Sequence, residues 1–279
     1  MQAAHTHHWA HRWLPILFLV ALTVGLGLFW GAYRHRLPLH AVAPLEPDVS
    51  ARDLPRVLVF TRTRVYRHAS IPAGVVTVQS IGKGKWVTEH TEDPARFTPE
   101  ELKRYKAVVF LSTTGDVLPA PQQKAFEDYI EQGGGFAGVH AAADTEYDWP
   151  WFGQLVGAWF RDHTKVMPND VHVERPQDVS VRGLPDPWRR DDEWYAFRTN
   201  PRGKVDVLAS IDDKQTGDSN MGGDHPITWK HAVGKGRSWY TAMGHTKESF
   251  ADPLFQQHLV GGITWAAGMV NDDGTQANQ

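Results

Sequence analysis

The chain has 279 residues, enough for one sizeable domain or two small ones, and it balances 29 basic against 32 acidic side chains. No basic run occurs in its body, which argues against nucleic acid as a partner, because phosphate binding needs clustered Lys and Arg. Cysteine is absent, so disulfides, thiolate catalysis and Cys-based zinc sites are excluded together, and an oxidising compartment suits the composition.

The first predicted element is a membrane anchor. Residues 13–33, WLPILFLVALTVGLGLFWGAY, are uncharged, almost wholly apolar and bounded by aromatics. That is long enough to span a bilayer as a helix, with Trp and Tyr at the interfaces. A cleaved signal peptide is the competing reading. Its small-x-small site, Ala41-Val42-Ala43, lies far beyond the apolar run and is followed by Pro44, so the anchor is read as uncleaved. Orientation is nearly balanced. Arg12 precedes the span and Arg34 and Arg36 follow it, while His5, His7, His8 and His11 add partial charge to the flank 1–12. Residues 34–55, with Pro38, Pro44, Pro47 and Pro55, read as an extended tether.

The folded domain is expected over 56–268. RVLVFT (56–61) reads as a buried strand, a helix follows over 72–81, and a strand over 86–92. Thr98-Pro99-Glu100-Glu101 has the pattern of a helix start, with Thr98 as cap. KAVVFLS (106–112) is a second fully apolar strand, 121–132 an amphipathic helix closed by Gly133, and GFAGVHA (135–141) the next strand. This alternation predicts a parallel sheet with helices on both faces, with 57–61, 107–112 and 135–139 adjacent at its centre. Beyond residue 165 the chain holds more strand than helix (DVHVERP, VDVLASI, PITWKHA, RSWYTAMGH) until an amphipathic helix over 250–267. There is no internal repeat, and the polar tail 269–279 reads as disordered.

In such sheets the ligand crevice lies beyond the carboxyl ends of the strands. That rule selects the loops 61–68, 112–116 and 140–144. His140 stands where a strand gives way to a helix, the position at which many α/β enzymes carry a nucleophile. His245 ends the apolar stretch 239–243, so both imidazoles are expected on one rim. His140 is read as an exposed loop residue whose removal leaves the fold intact. Further candidates are His68, Asp116, Asp144, His163, Glu193 and His225. His172, His231 and His258 are read as structural. No HExxH spacing singles out a metal site. Of the 12 Trp most are expected in the core, with Trp149, Trp151 and Trp194 as candidates to stack on a sugar ring.

The stretches GGGFAGVHAAADT, GAWFRDHT, DEWYAF and PITWKHAVGKGRSWYTAMGHTKESFADPLFQQHLVGGITWA, in this order, resemble the ThuA-like family, named for a trehalose utilisation protein. The resemblance covers 56–268. It implies a flavodoxin-like three-layer α/β/α sandwich of the class I glutamine amidotransferase type. In those enzymes a Cys occupies the elbow and a His ends a later strand; here Gly138-Val139-His140-Ala141-Ala142 and His245 hold these positions. Imidazole cannot form the thioester that amidotransfer needs, so glutaminase activity is excluded. It can serve as acid or base, or ligate a metal such as Zn²⁺ or Mn²⁺. His140, His163, His225 and His245 are the candidate ligands.

The substrate the resemblance implies is a disaccharide, a glycoside or its 3-keto derivative. The leading reading is therefore a carbohydrate-processing enzyme in which His140, His245, Glu193 and Asp144 carry acid–base or metal-assisted chemistry. Trp149, Trp151, Trp194, His68 and Asp116 would bind the sugar. The alternatives are a non-catalytic sugar-binding module on an amidotransferase-like scaffold and a membrane-anchored interaction domain. The resemblance and the absence of cysteine together place the domain outside the cytoplasm.

Overall fold

Three apolar runs become neighbouring strands: RVLVF (β1, Arg56–Phe60), AVVFL (β3, Ala107–Leu111) and GFAGV (β4, Gly135–Val139). They pair in parallel in the order β1-β3-β4, as the sequence predicts, with Val59 beside Val109 and Val109 beside Ala137. The computed structural model describes residues 54–277. Val87–Thr91 (β2) adds in parallel outside β1, and Gly236–Thr241 (β11) in parallel beside β4. The parallel half thus runs β2-β1-β3-β4-β11, the 2-1-3-4-5 order of flavodoxin-like sheets.

The sheet does not stop there. Pro226–Val233 (β10), Asp206–Ile211 (β9), Met167–Val173 (β6) and Trp188–Asp192 (β7) extend it antiparallel to nine strands. The expected parallel sheet is therefore mixed. Short hairpin links such as Gly234-Lys235 leave no room for the crossover a parallel pairing needs. Phe160–His163 (β5) and Tyr195–Phe197 (β8) form a separate antiparallel ribbon.

Strand alternation sends successive side chains to opposite faces. Phe136 meets Phe126 of the helix Ala120–Glu131 (α3) and Phe152 of Pro150–Val156 (α4). On the other face lie Ile71–Gly82 (α1), Lys247–Ala251 (α5) and Pro253–Ala266 (α6). There a Cβ on Gly262 would come within 2.2 Å of the Trp239 indole, so α6 lies against β11 only because that residue is glycine. The short helix Pro99–Leu102 (α2) starts as predicted, Thr98 accepting from the Glu101 amide.

Two further expectations change. The helix over 250–267 breaks at Asp252-Pro253, because Pro253 lacks an amide donor and Asp252 caps the new start by accepting from the Leu254 amide. The tail read as disordered is tied down as far as it is described. Asp272 accepts from Trp265 Nε1 and from the buried Lys230 ammonium, both at 2.6 Å, and Val270 bridges Gln276. Lys230 also pairs with the buried Asp178, so the tail covers a charge that would otherwise lie in the core. Among the described residues no helix is long and apolar enough to cross a membrane; the predicted anchor 13–33 and most of the tether lie outside them.

His258 is structural, as expected. It is fully buried, its Nδ1–H donates to the Ser180 carbonyl, and Nε2 accepts from Thr241 Oγ1. Burial lowers its pKa from the ordinary 6.5 to about 4. The unfolded chain therefore takes up a proton between these values that the folded chain refuses. The contribution is complete above pH 6.5 and lost as pH falls toward 4, amounting to about 3 kcal/mol. Chemical denaturation of His258→Gln across this window should show a shallower loss of stability than the parent; equal slopes would contradict the assignment.

Candidate functional site

The turn that ends β4 carries the first imidazole. His140 adopts φ +52°, a left-handed conformation rare outside glycine, at the start of a 3-10 turn His140–Asp144. The turn is pinned from β11: Tyr240 Oη donates to the His140 carbonyl at 2.8 Å, and His140 Nδ1–H donates to the Ala242 carbonyl at 2.7 Å. His140 is wholly buried, which corrects the expectation of an exposed loop residue. Its committed Nδ1 leaves Nε2 with a lone pair, facing His245 Nδ1 at 3.2 Å and Glu193 Oε2 at 3.4 Å.

His245 reaches the same rim because β11 runs parallel to β4. Its loop is held by Asp192, which is completely buried at the end of β7. The Asp192 carboxylate accepts from the amides of Gly244, His245 and Glu193, from Ser249 Oγ and from Arg190. One carboxylate thus sets both His245 and Glu193, and Glu193 Oε2 lies 3.0 Å from His245 Nδ1. From the loop after β1, buried His68 completes the group, its ring edge-on to those of His140 and His245 at 4.7 and 5.2 Å. His68 Nδ1 is buried without a hydrogen-bond partner. His68, His140, His245 and Glu193 offer ligand atoms that all lie within 4.8 Å of one another.

The cluster's electrostatics follow from burial and mutual contact. Burial pushes the Glu193 carboxyl up, but its contacts with the His140 and His245 imidazoles outweigh it and hold the group far below the usual carboxylate range. His68 is lowered to about 3 by burial and by the neighbouring imidazoles, so it is neutral. Burial lowers His245, yet its hydrogen bond to Glu193 and the charges of Glu193 and Asp192 raise it overall. Asp144 is raised, chiefly by burial, although Tyr147 Oη donates to it at 2.6 Å.

Around this group lie Tyr195, its ring 4.3 Å from that of His140, and Tyr66, 4.7 Å from that of His68. Tyr66 is 57% exposed beside Val65 at 77%. Their loop is zipped to the loop after β3: Thr63 bridges Thr114, and the Arg64 amide donates to the Thr114 carbonyl at 2.7 Å. These apolar groups are therefore held at the mouth by a braced backbone.

Of the residues predicted from sequence, His140, His245, Glu193 and His68 converge. Two others flank them. The half-exposed His163 of β5 has its Nδ1–H between Glu193 Oε1, at 3.0 Å, and the Thr164 carbonyl. Asp144 follows on the elbow turn, near enough for the charges of His140 and His163 to act on it. Four residues expected in the crevice, His225, Trp194, Trp149 and Trp151, do not join the cluster. His225 spends both ring nitrogens elsewhere, on Asp213 and the Tyr195 carbonyl. Trp194 is wholly buried, with Nε1 donating to the Met167 carbonyl. Trp149 stacks on Trp151, whose Nε1 donates to Glu131, at the opposite end of the strands. Asp116 is exposed on the loop after β3, next to Gly115, which bridges Thr145 beside the elbow turn, and it stands outside the four-residue group. Sequence reasoning missed Asp192, Tyr195 and Tyr66. The adjacent acids Asp191, Asp192 and Glu193 beside an apolar stretch were the one available signal for Asp192.

A mixed α/β sheet whose parallel half carries histidines at two strand ends defines the class, and comparison supplies the family. The sequence matches the family described as ThuA, trehalose utilisation, over residues 56–266, and the chain belongs to that family. A ThuA-like protein from Bacteroides uniformis is similar at 26% identity and a TM-score of 0.67, over 80% of this chain and 96% of that one. One from Parabacteroides merdae reaches 21% identity and 0.66, over 81% and 92%. A cytoplasmic protein from Salmonella typhimurium shares the fold at 13% identity and 0.55, over 75% and 98%. No protein of curated function matches the sequence significantly. Family membership supports a carbohydrate-related role.

Proposed function

We propose that this protein is a carbohydrate-processing enzyme acting on a disaccharide, a glycoside or its 3-keto derivative, with a divalent metal ion held by His68, His140, His245 and Glu193. The observation that carries the reading is the convergence of these four groups, three of them buried and His245 partly so, within 4.8 Å of one another at the carboxyl edge of the sheet. The donor set fits a Zn²⁺ or Mn²⁺ ion. Three imidazoles and one carboxylate are typical ligands. His140 has its Nδ1–H fixed by a backbone carbonyl, as ligating imidazoles commonly do, and His68 keeps a buried nitrogen with no protein partner. A bound ion would polarise a carbonyl or hydroxyl oxygen of the sugar.

The remaining chemistry belongs to the chain. In a 3-keto sugar the carbonyl acidifies the neighbouring C2–H. A base takes that proton, the electron pair forms a C1–C2 double bond, and the glycosidic C1–O bond breaks. The departing oxygen then takes a proton from an acid. Asp144, raised by burial, and His163, open to solvent at Glu193, would carry these transfers. Tyr66 offers an exposed aromatic face for the sugar at the mouth.

Isothermal titration of the purified, chelator-treated full chain with Zn²⁺ and Mn²⁺ tests the site without an activity assay. About one equivalent should bind, and Glu193→Gln should weaken binding by roughly 10–100-fold or more. Absence of binding to the parent would leave the imidazoles as acid–base groups and remove the metal from the proposal.

A further inference from the structure

We propose a second carbohydrate-binding site, separate from the histidine cluster, in the cavity between α4 and the β10–β11 hairpin. The cavity holds about 630 Å³, within the range of small-molecule sites, and none of the four clustered residues lines it. It lies toward the opposite end of the strands: its walls include Glu131, which ends α3 ahead of β4, and the hairpin turn that precedes β11.

Two indoles give the cavity its character. Trp159 Nε1 donates to the Thr145 carbonyl at 3.1 Å and Trp151 Nε1 to Glu131 Oε1 at 3.3 Å. Both N–H groups are satisfied within the protein, and both rings are half-buried at the cavity wall, Trp151 with one face stacked on Trp149. Trp159 is also seated deliberately. A Cβ on Gly153 would lie 2.5 Å from its ring, so the helix α4 keeps an interior glycine where alanine would be more stable by about 1 kcal/mol. Polar groups complete the lining. Gln154 and Lys204 are exposed, and Arg198 lies with its guanidinium carbon 3.9 Å from the Tyr147 ring centroid.

Fixed aromatic faces beside amide, ammonium and guanidinium donors match a pyranose, whose C–H face is apolar and whose rim is hydroxyl. A purely hydrophobic ligand would leave these donors unpaired. The site also accounts for half-buried indoles that the histidine cluster does not use. It stands independently of the chemistry proposed there.

Saturation-transfer NMR and tryptophan fluorescence, with trehalose and cellobiose titrated into the full-length protein, test the inference. At least one sugar should bind, and His140→Asn should retain that binding. Trp159→Ala should weaken it about 10-fold or more. Because Trp159→Ala removes packing, Gln154→Ala and Lys204→Ala at exposed positions provide the control: each should weaken binding about 2–5-fold with an unchanged melting temperature. The inference is overturned if neither sugar binds, if these variants bind like the parent, or if His140→Asn abolishes binding. The last result would place the sugar at the histidine cluster, leaving the proposed function standing while this second site falls.

Discussion

Replacing His140 by alanine is expected to lower turnover of trehalose or its 3-keto derivative by about 10²–10⁴-fold, the range associated with loss of a positioned acid–base or metal-holding group. The imidazole lies 3.2 Å from His245 and 3.4 Å from Glu193, so its removal leaves two of its partners without their common neighbour. Because His140 is buried, alanine also creates a cavity and costs some stability. His140→Asn separates the two effects. Asparagine tolerates the left-handed backbone at φ +52° and fills part of the space, but cannot supply an imidazole nitrogen. Both variants should lose turnover to this extent, with the asparagine form melting closer to the parent. Turnover at the parental rate in either would remove His140 from the catalytic machinery and contradict its assignment.

Asp192→Ala is expected to be the most damaging single change to stability near the site. Its carboxylate is buried and collects three backbone amides, a serine hydroxyl and Arg190. Arg190 is itself buried, stacked between Trp188 and Phe255, so losing Asp192 leaves its charge in the core with only the more distant Asp252, at 3.7 Å, to balance it. Breaking a buried pair in this way costs about 3–5 kcal/mol. For a domain of this size that is a fall in Tm of roughly 6–20 °C. Metal binding and turnover should fall together, since the Glu193 and His245 amides both depend on Asp192. Thermal melts and titrations of one preparation check this. Loss of activity with an unchanged Tm would show that Asp192 acts on the reaction and not through the loop it holds.

Much of this was legible from local pattern. The runs 57–60, 107–111 and 135–139 contain no charge and many β-branched or aromatic residues, so they could be stable only as central strands with helices on both sides. That placement put His140 at a carboxyl end. The apolar stretch 239–243 did the same for His245. Both inferences needed only the strand period and the parallel rule, and neither needed a long-range contact.

What the sequence alone determined, then, was the parallel half of the sheet, its helices and the edge on which a ligand would sit, because these follow from hydrophobic period and turn chemistry within short windows. The tertiary structure decided which polar residues meet. Glu193 comes to His140 from 53 residues away and His68 from 72, carried by loops whose course depends on Asp192 and on the Thr63–Thr114 bridge. The same long-range packing sent Trp194 to the core and gave both nitrogens of His225 to other partners. Local sequence sets which side chains can do chemistry. Their convergence depends on backbone contacts between segments far apart in the chain, and no local window contains both partners of such a contact.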